Sequence, residues 1–234
     1  SDAPDLSLFQ ELSRTVGEVD GIEKEAFRCG WNSVVEPSVV TTSTAGNHGK
    51  SAGVAIVSQR PRGLLAYGDS PGIGSPPSPG RVVAALWPAV LGRGILVISV
   101  YLFCSEGLSD RNMALLQYVV RLTKAAKCAF VVGGDFQVSP QCLEESGIPH
   151  LLGAVVVAPA EASYVTTGIS STIDFFLVHQ GLAAHVTLCQ VDQTAPIPKH
   201  CPVRLAIRAA VWRFSTSDAA DHLPRASFRR AQLS

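Results

Sequence analysis

The stretch from Ala129 to Pro140, AFVVGGDFQVSP, constrains what this chain can fold into more than any other part of it. Ala129 to Val132 carry apolar side chains, aromatic and β-branched among them, with no charge, the pattern of a strand buried on both faces. Two glycines follow, then Asp135, Phe136 and Gln137, and Ser139-Pro140 stops the element. A carboxylate delivered at the end of a buried strand is rigidly placed, and glycines beside it let other backbone come close. A lone Gly-Asp pair would serve equally well as a turn cap. The weight of Asp135 therefore depends on what the rest of the chain brings to it.

The 234 residues are 47% hydrophobic and 16% charged, which predicts a sizeable core rather than disorder, in one large α/β domain or two small ones. Lys plus Arg and Asp plus Glu both number 19, so net charge neither favours nor excludes a polyanionic partner. Arginine supplies 14 of the 19 cations, which suits bidentate phosphate contacts. Cys29, Cys104, Cys128, Cys142, Cys189 and Cys201 form no CxxC pair and no Cys/His cluster at zinc spacing. They read as small buried hydrophobes of a reduced, intracellular protein. No run of 18 apolar residues and no basic-then-apolar N-terminal signal occurs, so a soluble domain with no membrane segment is expected.

In chain order, Asp5 to Glu11 places Leu6 and Leu8 around Ser7, and Phe9 breaks the polar face; this predicts an interior strand ending in Glu11. An interior strand needs neighbours on both sides and none precedes it, so the chain is expected to be a piece that begins close to the working part of its fold. Residues 12–28 predict a weak helix interrupted by Gly17 and Gly21. Trp31 to Val40 is β-prone, Thr41 to Lys50 is a polar loop, and Ser51 to Ser58 is a short buried strand. Gly68 to Gly80 is almost wholly Pro, Gly and Ser and predicts a long surface loop. Arg81 to Leu86 and Gly94 to Phe103 predict further strands, the second delivering Tyr101 near its end.

Ser109 to Lys127 carries the strongest helix signal. Ser109 caps it, Asp110 suits the positive end of its dipole, and Met113, Leu116, Val120 and Thr123 form one stripe. Strand, helix, strand at this spacing predicts a layered α/β arrangement. Residues 141–162 predict a loop region with an apolar run at Val155 to Ala158. Thr172 to His179 reads as a strand with Asp174 near its start. Pro202 to Trp212 alternates apolar and polar residues, as a strand with one solvent face does, with Lys199 and His200 just before it. The polar end divides the chain into a domain over 1–213 and a tail or linker over 214–234.

Glu11, Tyr101, Asp135, Asp174 and His200 thus all stand at strand ends or starts. Carboxylates hold Mg²⁺, a hard cation that keeps several waters, and an aspartate can orient or deprotonate such a water. A histidine beside a carboxylate is held in one tautomer and can meet negative charge building on phosphorus. A tyrosine hydroxyl donates to a phosphate oxygen. Taken singly, Tyr101 reads as an ordinary strand tyrosine and His200 as a turn histidine. Asp192, eight residues before His200, is a candidate for a displaced carboxylate.

The segments SLFQE, SAGVAIVSQ, Arg81 with ILVISVY, FVVGGDFQ, STIDFFLVH and HCPVRL resemble, in this order, the motifs of the endonuclease/exonuclease/phosphatase superfamily, over roughly residues 5–210. That superfamily includes apurinic-type DNA endonucleases, inositol-phosphate and sphingomyelin hydrolases, and the endonuclease domains of non-LTR retrotransposons, which SAGVAI after a polar loop resembles most. The resemblance implies a four-layer α/β sandwich, with two mixed β-sheets packed face to face and helices outside. It implies that Glu11 binds Mg²⁺ (or Mn²⁺), that Tyr101 contacts the scissile phosphate, that Asp135 activates the attacking water, and that Asp174 pairs with His200.

The pattern also departs from the family. The asparagine strand that precedes the glutamate motif has no counterpart, Gln137 stands where GDFN has asparagine, and Pro198-Lys199-His200 stands in place of SDH. Phe103 replaces a usual proline, and Thr172 an arginine. Gln137 keeps the amide, and Lys199 and Asn47 are candidates for touching a substrate phosphate. The expected function is a Mg²⁺-dependent phosphodiesterase nicking DNA, of retroelement type, nuclear and fused to a reverse transcriptase in the full-length protein. The rivals are a phosphatase or lipid phosphodiesterase of the same fold, and a non-catalytic remnant that binds nucleic acid or protein.

Overall fold

The computed structural model describes residues 4–42, 48–59, 63–68, 72–88, 94–194 and 199–208. Asn47 and the expected tail over 214–234 lie outside them. The first half runs β1 (Leu6–Phe9), α1 (Val16–Arg28), β2 (Trp31–Glu36), β3 (Val39–Thr42), β4 (His48–Ser51), β5 (Val54–Gln59), β6 (Leu65–Tyr67), β7 (Val82–Trp87) and β8 (Ile95–Tyr101). The second half runs α2 (Asp110–Ala126), β9 (Phe130–Asp135), α3 (Pro140–Glu145), α4 (Ile148–Leu152), β10 (Ala154–Val157), β11 (Tyr164–Thr166) and β12 (Ile169–Ser171). It closes with β13 (Asp174–His179), α5 (Gln180–Ala183), β14 (Val186–Val191) and β15 (Val203–Ile207).

Six strands form a mixed sheet in the order β10-β13-β9-β8-β7-β6, with β8 and β9 parallel and every other neighbouring pair antiparallel. One face of this sheet packs on α2 and α4 through Leu115, Leu116, Val119, Leu122, Ile148 and Leu152. Within that core the Phe136 and Phe175 rings stack with centroids 4.3 Å apart. The other face meets the antiparallel sheet β1-β5-β2, where Val54 and Ile56 pack against Val83, Ala85 and Val97. Beside it, the β14–β15 hairpin lays Leu205 and Ile207 on Val131 and Val178. This is the α/β sandwich of facing sheets that the sequence implies. Among the described residues only the six-stranded sheet is mixed, and the facing layer is antiparallel and split into a sheet and a hairpin.

Local chemistry accounts for the helix ends. The Asn112 N–H donates to Ser109 Oγ at 3.4 Å, and Lys127 closes α2 in the left-handed region at φ 48°. At α1, Thr15 N–H donates to the Glu18 carboxylate at 2.8 Å, and Lys50 reaches across to the same carboxylate at 2.7 Å. These contacts hold the Glu18 carboxyl down at about 2, with the Lys50 hydrogen bond the largest cause.

Several sequence expectations differ from the structure, among them the cysteines, of which Cys29 and Cys104 are exposed and the other four only half-buried. Strand β9 does not stop at Val132 but continues through Gly133 and Gly134 to Asp135, all fully paired. The expected loop over 141–162 contains α3, α4 and β10, short elements stabilised by the core they cover rather than by local pattern. The buried face of α2 includes Leu116 and Thr123 as expected but centres on Leu115, Val119 and Leu122, with Met113 and Val120 on its flank. Among the described residues, strand β1 is an edge of its sheet rather than an interior strand, pairing with β5 alone.

Gly134 explains why β9 holds. A Cβ there would collide with the Val100 carbonyl oxygen of β8, while one at Gly133 would meet Leu8 Cδ1 at 2.6 Å and the Phe176 ring at 2.7 Å. The first obstacle is backbone and cannot swing away; the second is the movable end of side chains. Gly134→Ala is therefore expected to cost about 3 kcal/mol or more and Gly133→Ala less, as read from urea unfolding midpoints at constant m-value.

Candidate functional site

Three neighbouring strands end together, and their register lines up the first three polar groups. Tyr101 is the partner of Asp135 across the parallel β8–β9 pair, and Asp174 is the partner of Asp135 across the antiparallel β13–β9 pair. The backbone continues the ladder one step further, with Leu102 N–H donating to Asp135 O at 3.0 Å and Phe136 N–H to Ile173 O at 2.8 Å. Asp135 is 2% exposed in the middle of this row.

His200 reaches the row from the segment before β15. Its Nδ1 lies 3.0 Å from Asp174 Oδ2, and its ring meets Tyr164 edge-on at 4.9 Å. Ser163 ties the two sides: its Oγ accepts the N–H groups of Ile173 and Asp174 at 3.1 and 2.9 Å, and its carbonyl accepts Cys201 N–H at 2.7 Å. Glu11 comes from the facing layer, just past β1. The Tyr101 hydroxyl donates to its carboxylate, and Leu12 and Ser13 N–H donate to Gly53 and Ala52 carbonyls. Gln10 Nε2 donates to Ser99 Oγ at 2.9 Å, which pins this segment over the six-stranded sheet.

All five strand-end residues singled out in the sequence thus fall in one hydrogen-bonded neighbourhood. Gln137 joins them, its backbone N–H donating to Asp135 Oδ1 at 3.1 Å and its side-chain amide to Oδ2. Lys199 is exposed, its carbonyl accepts Val165 N–H at 2.8 Å, and its ammonium pairs with none of the described residues. Asp192 is not a displaced site carboxylate: it is bound by Arg204 and by Thr194. Glu11, Gln137 and Lys199 all have left-handed backbone, with φ of 56°, 54° and 69°. Such conformations in non-glycine residues are held only by their surroundings, and they gather at functional sites.

Sequence reading did not single out Ser163, Tyr164 or Cys104, whose Sγ lies 3.2 Å from the Tyr101 hydroxyl. Nothing in their sequence context marks them, because each earns its place through a partner far along the chain or through the turn after β8. Arg81 appeared only as a motif letter, yet it is buried beneath Tyr101.

No protein-family model and no curated protein sequence matches the chain. Solved structures do. An AP endonuclease from Leishmania major superimposes with a TM-score of 0.66 at 17% identity, over 88% of this chain and 78% of that one. The 3' phosphatase NExo from Neisseria, bound to a product DNA hairpin, gives 0.63 at 21% identity, over 88% and 90%. The endonuclease domain of TRAS1, a telomere-specific non-LTR retrotransposon, gives 0.57 at 16% identity, over 88% and 99%. The chain has the endonuclease/exonuclease/phosphatase fold.

Within this endonuclease/exonuclease/phosphatase fold the site concentrates negative charge. Ligand atoms of Asp135, Asp174 and His200 all lie within 4.8 Å of one another. Burial, and then the Asp174 charge, push the Asp135 carboxyl up to about 7. The Asp174 hydrogen bond raises His200 above its ordinary value, with Asp135 and Glu11 adding to it. Burial above all, together with Cys104 and Glu11, pushes the Tyr101 phenol up, so it remains a donor. Carboxylate oxygens that crowd together in one row are the donor set that a hard divalent cation takes, so these residues fit such a cation.

These shifts set a pH dependence. Asp135 and His200 both hold protons more tightly folded than unfolded, so the stability they contribute is complete below about pH 4 and about pH 6.5 respectively, and is lost as pH rises through their folded values. In metal-free protein, Asp135→Asn is expected to flatten the fall in stability between about pH 4 and pH 7, read by urea unfolding. Asp174→Asn is expected to bring the His200 titration down, read from its imidazole NMR signals.

Proposed function

We propose that this chain is a divalent-metal-dependent phosphodiesterase that nicks DNA. The observation that carries this reading is the row Tyr101–Asp135–Asp174, completed by His200 on one side and Glu11 on the other. Its pieces supply what in-line water attack on a phosphodiester needs: a base, a cationic donor, a neutral donor and carboxylates for a metal.

Glu11 would hold Mg²⁺ or Mn²⁺, which when bound supplies Lewis-acid stabilisation of charge on the phosphate and leaving oxygens. Asp135, carried up to about 7, orients the attacking water and takes its proton. Gln137 holds both Asp135 oxygens and so fixes the direction of that abstraction. His200, kept charged by Asp174, faces the negative charge that develops on phosphorus, and the Tyr101 hydroxyl donates to a non-bridging oxygen. Lys199, exposed next to His200, and Asn47, which lies outside the described residues, would contact neighbouring backbone phosphates.

DNA is favoured as substrate because the superimposing proteins include AP endonucleases, a retrotransposon endonuclease domain and a phosphatase bound to a DNA hairpin. A retroelement setting would join this domain to a reverse transcriptase and bring it to the nucleus. A second reading, a binding module without catalysis, is favoured by one feature: Gln137 already occupies both Asp135 oxygens.

Nicking of supercoiled plasmid with and without Mg²⁺ separates the two. The phosphodiesterase reading expects metal-dependent nicking, abolished by EDTA, that falls about 10²–10⁴-fold in kcat with Asp135→Ala or His200→Ala. Wild-type protein that binds DNA but never nicks it overturns this reading in favour of the binding module. Lys199→Ala is expected to weaken DNA binding evenly across sequences and to reduce the salt slope of log K by about one.

A further inference from the structure

Arg81 is 6% exposed, a cation in the interior with no carboxylate bonded to it among the described residues. Its Nη1 donates to the carbonyls of Tyr101 and Leu102 at 3.3 and 3.0 Å, and its Nη2 to Ser51 Oγ at 3.4 Å. Its own carbonyl accepts Tyr101 N–H at 2.9 Å. The guanidinium lies 4.8 Å from the centre of the Tyr101 ring and 3.6 Å from that of Phe103, whose other contact is the exposed Arg111, also at 3.6 Å. Arg81 therefore grips Tyr101 twice, by its backbone and by its ring face.

Burying a cation without a bonded carboxylate is costly, and carbonyl capping alone is normally left to neutral groups or water. A ring face and carbonyl dipoles offset part of that cost. What the cation gains by this position is proximity to the tyrosine whose hydroxyl meets Glu11. Lysine has neither a second nitrogen to reach Ser51 while the first holds two carbonyls nor a flat face to lay over the Phe103 and Tyr101 rings.

We propose that Arg81 is the positioning residue of Tyr101: it fixes the phenol at the end of β8 and supplies, through the ring, a positive field to the phosphate site. The proposal rests on the phosphodiesterase reading for its kinetic consequence but not for its structural one. Burial works against the charge on Arg81, while Tyr101 and Cys104 favour it, in keeping with a cation held there by its surroundings.

A double-mutant cycle on nicking tests it. Arg81→Met, which keeps an unbranched apolar stem and loses the charge and fork, is expected to lower kcat about 10-fold or more with KM within about 3-fold. In a Tyr101→Phe background the same change is expected to lower kcat less than about 2-fold, because its effect runs through the phenol. Equal losses in both backgrounds overturn the proposal and leave Arg81 as a structural clamp. The second readout needs no activity: 3-fluorotyrosine placed at position 101 and followed by ¹⁹F NMR at neutral pH. Arg81→Met is expected to move and broaden the resonance, since the ring loses the guanidinium that holds its face, and Arg81→Lys, the variant in reserve should the first fail to fold, to do so less. A resonance unchanged in both overturns the proposal even where wild-type protein proves not to nick, an outcome that would fall on the phosphodiesterase reading instead.

Discussion

The parallel pairing of β8 with β9 is the constraint on which the rest of the site depends. It brings the Val100 carbonyl so close to Gly134 that no side chain fits there, and one residue further on it sets Tyr101 beside Asp135. Antiparallel β13 then sets Asp174 against the same Asp135. Because side chains alternate across a strand, a slip of one residue in either pairing would turn the carboxylates to opposite faces of the sheet. The buried core on both faces, Val132 and Leu177 on one and Val131 and Val178 on the other, makes such a slip expensive.

That rigidity is what allows so much like charge to stand together. Burial first, and then repulsion from Asp174, raises the Asp135 carboxyl, while strand pairing keeps the two aspartates side by side. His200 relieves part of it through Asp174, and Ser163 holds the backbones of Asp174 and of Cys201, the neighbour of His200. Around this row, Glu11, Gln137 and Lys199 take left-handed backbone that other residues of their size avoid. A site carrying crowded charge and strain at once is less stable than its surroundings and depends on them, which is the usual relation between an active region and its scaffold.

Much of this was legible in the sequence. Asp135 stood out because a charge-free strand pointed to it, and Tyr101 and Asp174 because each sits where an apolar run starts or stops. His200 and Glu11 were legible only through the order of motifs, since neither has a distinctive local pattern. The short elements between Pro140 and Val157 were not legible, because their helices span one or two turns and owe their existence to the sheet they cover. Nor was the work of Ser163 and Tyr164, whose partners lie ten residues or more away in sequence.

By itself the sequence determined that buried strands lead to Tyr101 and Asp135 and away from Asp174, because apolar runs and the polar residues that bound them are local properties. Only the tertiary structure decided that those ends meet. Register across β8, β9 and β13 is a property of pairs of strands, and the closeness of Glu11 to Tyr101 is a property of two layers packed together. The same holds for Arg81. Its letter was visible, but the two carbonyls and two rings that give a buried cation its purpose assemble only when β7 and β8 lie side by side.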